Sequence, residues 1–129
     1  MPRVNFDDLE YNYDGLVMHD GIPFSGEAFE LHPDGKISFE GSYDFGRLSG
    51  VSHEYYPSGT LKSEFLFRSG VRHGAGKEWY PDGKIRAETL YESGILLKRL
   101  EAGDDGQLRT TFELREDHPN YAVLLAGRR

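Results

Sequence analysis

The chain of 129 residues has no cysteine, one tryptophan and two methionines. Without cysteine there is no disulfide and no thiolate metal site, which fits a reducing compartment, and a cytoplasmic location is expected. The opening stretch, MPRVNFDDLEYNYDG, contains no apolar run of the kind a signal peptide needs. Nowhere is there an apolar stretch long enough to cross a bilayer. Basic residues are the minority, 15 Lys and Arg against 22 Asp and Glu, for a formal net charge of −7. That balance argues against nucleic acid, whose phosphates call for a basic surface. It also argues against anionic membrane surfaces. A protein partner with a basic surface remains compatible.

What is abundant is glycine, 16 residues, together with eight Tyr and eight Phe. They recur in phase. Gly35, Gly59 and Gly83 are 24 residues apart, as are Pro33, Pro57 and Pro81. The sets Gly26, Gly50, Gly74 and Gly46, Gly70, Gly94 keep the same period. A fixed period of this length signals stacked supersecondary units. Each unit holds two turns. The first reads HPDGK, YPSGT and YPDGK at 32–36, 56–60 and 80–84. Proline presets φ for a type I turn and the glycine takes a left-handed position that closes a bulged hairpin. The second reads YDFGRLSG, FRSGVRHG and YESGILLK, each with a glycine where the chain turns back. A unit is therefore strand, hairpin turn, strand, return turn.

This reading predicts a register. Leu31 pairs with Ile37, Phe29 with Phe39, Tyr55 with Leu61, Val51 with Phe65 and Trp79 with Ile85, all on one apolar face. The other face then sets Glu54 against Lys62 and Glu78 against Arg86. A degenerate fourth hairpin is expected at 99–114, where EAGDDGQLRTTFEL keeps an Asp-Gly turn. Residues 1–129 form one domain: a cap at 1–20, three repeats at 21–98, the fourth at 99–114 and a tail at 115–129. End units are expected to be atypical because they cap the stack. The tail has no clear period and could be an edge strand, a short helix or a partly ordered segment.

Little is left over for chemistry. His19, His32, His53, His73 and His118 are scattered, and metal ligation needs convergent ligands. Gly-x-Gly-Lys in GAGKEW opens a strand and lacks the span of a phosphate loop. Ser25 has no nucleophile-elbow context. The columns Glu30, Glu54, Glu78 and Glu40, Glu64, Glu88 place carboxylates roughly 9–10 Å apart on alternate strands. Because both recur in every unit, they read as solvated acidic stripes. No catalytic, cofactor-binding or metal-binding residue is expected.

The motifs GIPFSG, HPDGKISFEGSYDFG, YPSGTLKSEFLFRSG and YPDGKIRAETLYESG resemble the MORN family in its bacterial variant form. The resemblance covers 15–98 well and 99–114 weakly. It implies an all-β fold, a single-layer antiparallel β-meander of consecutive hairpins. It also implies a non-enzymatic binding protein of antitoxin or immunity type, which would neutralise a cognate toxin by occluding its active site. A scaffold module that self-associates, as a homodimer for example, or a membrane-surface binder are the alternatives. A single sheet must cover one face, and the apolar stripe is too long for one short tail to bury, so curling, dimerisation or a partner is expected. Tyr55, Trp79, His53, Lys77, Glu54 and Glu78 are the expected partner contacts. Aromatics anchor interfaces, and the equivalent positions Phe29, His53 and Lys77 drift from apolar to charged along the stack.

Overall fold

A computed structural model describes residues 3–129; the first two residues of the expected cap lie outside it. The chain runs β1 (Arg3–Asn5), a 3-10 turn (Phe6–Asp8), β2 (Glu10–Tyr11), β3 (Val17–His19) and β4 (Ile22–Pro23). It continues with β5 (Gly26–Leu31), β6 (Ile37–Asp44), β7 (Arg47–Tyr55), β8 (Leu61–Arg68), β9 (Val71–Trp79) and β10 (Ile85–Glu92). β11 (Ile95–Ala102), β12 (Leu108–Glu113) and α1 (Pro119–Gly127) follow. From β5 to β12 the strands pair in chain order, each antiparallel to the next. This is the expected meander of hairpins. β1 adds to its first edge in parallel, and β2, β3 and β4 form a separate small sheet.

The turns follow the sequence signals. Backbone bonds from His32 N–H to Lys36 O (2.7 Å) and from Gly35 N–H to His32 O (2.9 Å) recur at Tyr56–Thr60, Tyr80–Lys84 and Gly103–Gln107. Gly35, Gly59 and Gly83 sit at φ 90°, 92° and 89°, where a Cβ would be strained. The return turns are two-residue turns with positive φ at both positions: Phe45–Gly46, Ser69–Gly70 and Ser93–Gly94. Two polar side chains hold these turns. Ser25 Oγ accepts from Phe45 N–H and His73 Nδ1 accepts from Ser93 N–H, each at 2.9 Å. The tail is a helix. His118 caps it, its Nδ1 accepting from Asn120 N–H at 3.0 Å, with Pro119 at the first helical position.

The register departs from the sequence expectation one step beyond each hairpin turn. Leu31–Ile37, Tyr55–Leu61 and Trp79–Ile85 pair as expected. A bulge then inserts Ser38, Lys62 and Arg86, so Phe39 faces Glu30, Ser63 faces Glu54 and Ala87 faces Glu78. Phe29 pairs with Glu40 rather than Phe39, and Val51 with Leu66 rather than Phe65. The expected pairs Glu54–Lys62 and Glu78–Arg86 do not form. One extra residue transfers everything beyond it to the other side of a sheet.

The apolar residues therefore divide between two faces, since directly paired residues share a side. Phe39, Tyr43, Phe65, Phe67 and Tyr91 lie on one side. Phe29, Leu31, Ile37, Val51, Tyr55, Leu61, Trp79 and Ile85 lie on the other. The first is the packed face. All buried residues of β5–β10 belong to it, including Ala28, Tyr43, Ser52, Ser63, Phe65, Ala87 and Thr89. At the first hairpin, Val17 and Phe24 join Ala28 and Tyr43 in a core, with Val4, Phe6, Leu9 and Leu48 packed against it. The N-terminal segment thus supplies part of the cover that a lone sheet lacks. At the far end, Phe112 meets His118 edge-on and Leu124 is buried.

Along the packed face large side chains lie over glycine and other small residues. A Cβ on Gly41 would come within 2.9 Å of Leu48 Cδ2. Thr89 Oγ1 is the one buried side-chain oxygen or nitrogen without a partner among the described residues. Replacing Thr89 with valine keeps the shape and removes that hydroxyl. Stability measured by urea unfolding is expected to rise by about 1 kcal/mol.

Candidate functional site

The second face carries three rows that run across the strands. The middle row is charged: Phe29, Glu40, His53, Glu64, Lys77 and Glu88 are paired in succession from β5 to β10. On the return-turn side lie Val51, Leu66, Ala75 and Leu90, all exposed. On the hairpin-turn side lie the pairs Tyr55–Leu61 and Trp79–Ile85. No residue of β6–β11 is buried on this face. It is uncovered, and it combines apolar rows with alternating charge.

One end of the charged row is a hydrogen-bonded cluster. Tyr55 Oη donates to Glu40 Oε1 at 2.7 Å, and Arg3 donates to Glu40 (3.1 Å) and Glu27 (3.0 Å). The Arg3 guanidinium also lies 5.1 Å from the centre of the Phe29 ring. His53 Nε2 is 2.9 Å from Glu64 Oε1, and its Nδ1 is 3.8 Å from Glu40 Oε1. The Tyr55 hydroxyl, and after it Arg3, hold the Glu40 carboxyl below the usual carboxylate range. Burial first, then Glu40, pushes the Tyr55 phenol up to about 12 from 10. Lys77, by contrast, makes no ion pair among the described residues and is exposed.

These shifts fix the sign of two pH effects. Glu40 has a folded pKa below its unfolded value, so its contribution is present above about pH 4.5 and is lost as pH falls. Tyr55 has a raised folded pKa, so its contribution is present below pH 10 and is lost as pH climbs from 10 through 12. Urea midpoints recorded against pH are expected to lose part of the acid limb in Glu40→Gln and part of the alkaline limb in Tyr55→Phe.

The packed face carries its own opening between the second and third hairpins, a cleft of about 220 Å³ lined by Tyr56, Lys62, Phe65, Arg72, Arg86 and Arg99, with Glu54 and Glu78. Arg72 stacks 3.8 Å over Phe65 and 5.5 Å from Tyr91. Arg99 bonds Glu78 at 2.9 Å and Glu101 at 2.8 Å. Neighbouring hairpin turns are joined by a repeated bond: His32 Nε2 lies 2.9 Å from Tyr55 O, and Tyr56 Oη donates to Trp79 O at 2.7 Å.

Of the six expected contacts, His53, Tyr55, Lys77 and Trp79 share the uncovered face. Glu54 and Glu78 point to the packed face, where Ser63 Oγ donates to Glu54 (3.3 Å) and Arg99 engages Glu78. The sequence reading missed Arg3 and the way Glu40 and Glu64 converge on His53. It also missed the cations of the cleft. The column Phe24, Leu48, Arg72, Leu96, where an arginine interrupts apolar residues at the same 24-residue spacing, carried that signal.

A hairpin-repeat sheet with one packed and one uncovered face defines a repeat module in which each unit extends its neighbour's ladder. Residues 48–68 and 72–93 match the family described as MORN repeat variant, and these two segments, β7–β8 and β9–β10, are repeats of that family. Repeats of this kind belong to protein- or membrane-binding modules. No curated protein matches the chain.

Proposed function

We propose that the chain is a non-catalytic protein-binding module, cytoplasmic, and that it serves as an antitoxin or immunity protein by covering the active site of a toxin with a basic surface. The observation that supports this reading is the uncovered face, where Glu40, His53, Glu64, Lys77 and Glu88 form one row beside exposed Val51, Leu66 and Leu90. Tyr55 and Trp79 supply aromatic anchors and the carboxylates set orientation and encounter rate. Glu54 and Glu78 have no part in this contact, because they face the other way.

The test is co-expression of the chain with a toxin encoded beside it. Protection, with a 1:1 complex weakened by Leu66→Asp and Trp79→Ala, supports the reading. Absence of both protection and complex removes it. A stable homodimer by light scattering, broken by the same substitutions, would instead favour the scaffold. Flotation with anionic vesicles would favour a membrane role, against the net charge.

A further inference from the structure

The two hairpin grooves of the packed face are equivalent in repeat position but not in occupancy. In the first, Phe6 and Tyr11 of the N-terminal segment line the groove with Glu30, His32, Phe39 and Tyr43. Phe6 packs on Tyr43 with ring centres 6.2 Å apart and on Tyr11 at 5.9 Å. The covering segment reads FDDLEY, two aromatic rings separated by three carboxylates and a leucine.

One repeat later, 24 residues on, Glu54 stands for Glu30, Tyr56 for His32 and Phe67 for Tyr43. Only residues of the sheet and its turns line this second groove. Its chemistry has also changed. Lys62 replaces Ser38, Arg86 replaces Lys62, and Arg72 replaces Leu48. Lys62, Arg72 and Arg86 make no ion pair among the described residues. Instead they lie against rings: Lys62 at 5.7 Å from Tyr56, Arg86 at 5.7 Å from Tyr80 and Arg72 at 3.8 Å from Phe65. Of the two carboxylates present, Glu78 is engaged by Arg99. So in a chain of net charge −7, the open groove concentrates cations over an aromatic floor.

We propose that this second groove is a docking site for an acidic segment of another protein chain, one carrying carboxylates between aromatic anchors. The aromatic ring packs against the aromatic lining of the groove, Tyr56 and Phe65, as Phe6 packs against Tyr43 in the first, and the carboxylates meet Lys62, Arg72 and Arg86. The cations hold in place by stacking and are ready to pair without first breaking an internal salt bridge. This site is on the face opposite to the one assigned above, so the two stand or fall independently.

The probe is a synthetic peptide of residues 3–13, RVNFDDLEYNY, added to the full chain. Isothermal titration calorimetry reads the binding, since Trp79 borders this groove but, by its register with Ile85, sets its ring on the other face. The expected result is saturable binding that weakens with salt and falls about tenfold or more in the double variant Arg72→Leu, Arg86→Ser. Leucine is what the first repeat holds at the Arg72 position, and urea unfolding checks that the variant folds. Lys77→Ala, on the other face, should bind as the parent does. The peptide with Phe6→Ala should lose binding. No saturation by about 1 mM peptide, or binding indifferent to the double variant, overturns the proposal. So would capture by phosphatidic acid vesicles without capture of the peptide.

Discussion

Gly76→Val is expected to destabilise the protein by about 2–3 kcal/mol, although valine favours strands. Gly76 does not sit at positive φ, so the backbone permits a side chain. Space does not. A Cβ there would lie 2.6 Å from Phe65 Cε1 and 2.8 Å from Thr89 Oγ1. Phe65 is itself held from above by Arg72, 3.8 Å from its ring centre, so the ring cannot lift away without losing that stack. Glycine is required here because the ring of the neighbouring strand lies flat on the backbone. The control is one residue away. Ala75 is on the other side, paired with Leu90 and exposed. Ala75→Val is expected to change stability by no more than about 0.5 kcal/mol. Urea unfolding of the two variants separates the faces.

Tyr43→Ala is expected to cost about 3–5 kcal/mol, the range for emptying a large aromatic from a packed site. Tyr43 is 6 % exposed, in contact with Phe24 (6.1 Å between rings) and Phe6 (6.2 Å). It joins three pieces of chain: the N-terminal segment, the β4–β5 connection and the first hairpin. Burial pushes its phenol well above the ordinary tyrosine range, a sign of how little water reaches it. Its loss should also open the cap. Native-state hydrogen exchange is expected to accelerate at Val17 and Phe24, whose amides donate to Gly46 O and Val17 O, more than at β11. Leu90→Ala, which removes an equally apolar but exposed side chain, should cost less than about 1 kcal/mol.

The sequence spoke clearly where backbone geometry dictates residue type. Positive φ at Gly35, Gly59 and Gly83 demands glycine, so the turns, and hence the hairpins, could be read at a fixed period. The first pair beyond each turn, Leu31–Ile37, Tyr55–Leu61 and Trp79–Ile85, followed from turn length alone. The bulges at Ser38, Lys62 and Arg86 left no comparable mark. A bulge can hold almost any residue, and its effect is felt only in which partner the next residue meets. Without it, Phe29 and Phe39 would share a side, as would Val51 and Phe65. With it, the single apolar stripe becomes two half-stripes. Glu54 and Glu78 move away from Tyr55 and Trp79, and the expected pairs with Lys62 and Arg86 disappear. The cover of the packed face was legible only as a need. That Phe6 meets it at the first hairpin depends on β1 pairing in parallel with β5, a long-range choice with no local signature.

The absence of cysteine makes the central claim, that adjacent residues alternate between a packed and an uncovered face, directly measurable. Single cysteines at Ser52, Ser63 and Thr89 on one side, and at Leu66, Ala75 and Leu90 on the other, can be titrated with a thiol reagent under native conditions. The predicted result is rapid modification of the last three and protection of the first three until the chain unfolds, including opposite behaviour for the neighbours Thr89 and Leu90. Equal reactivity at the two positions of that pair, or protection of Leu66, Ala75 and Leu90 in the monomer, would contradict the two-faced sheet.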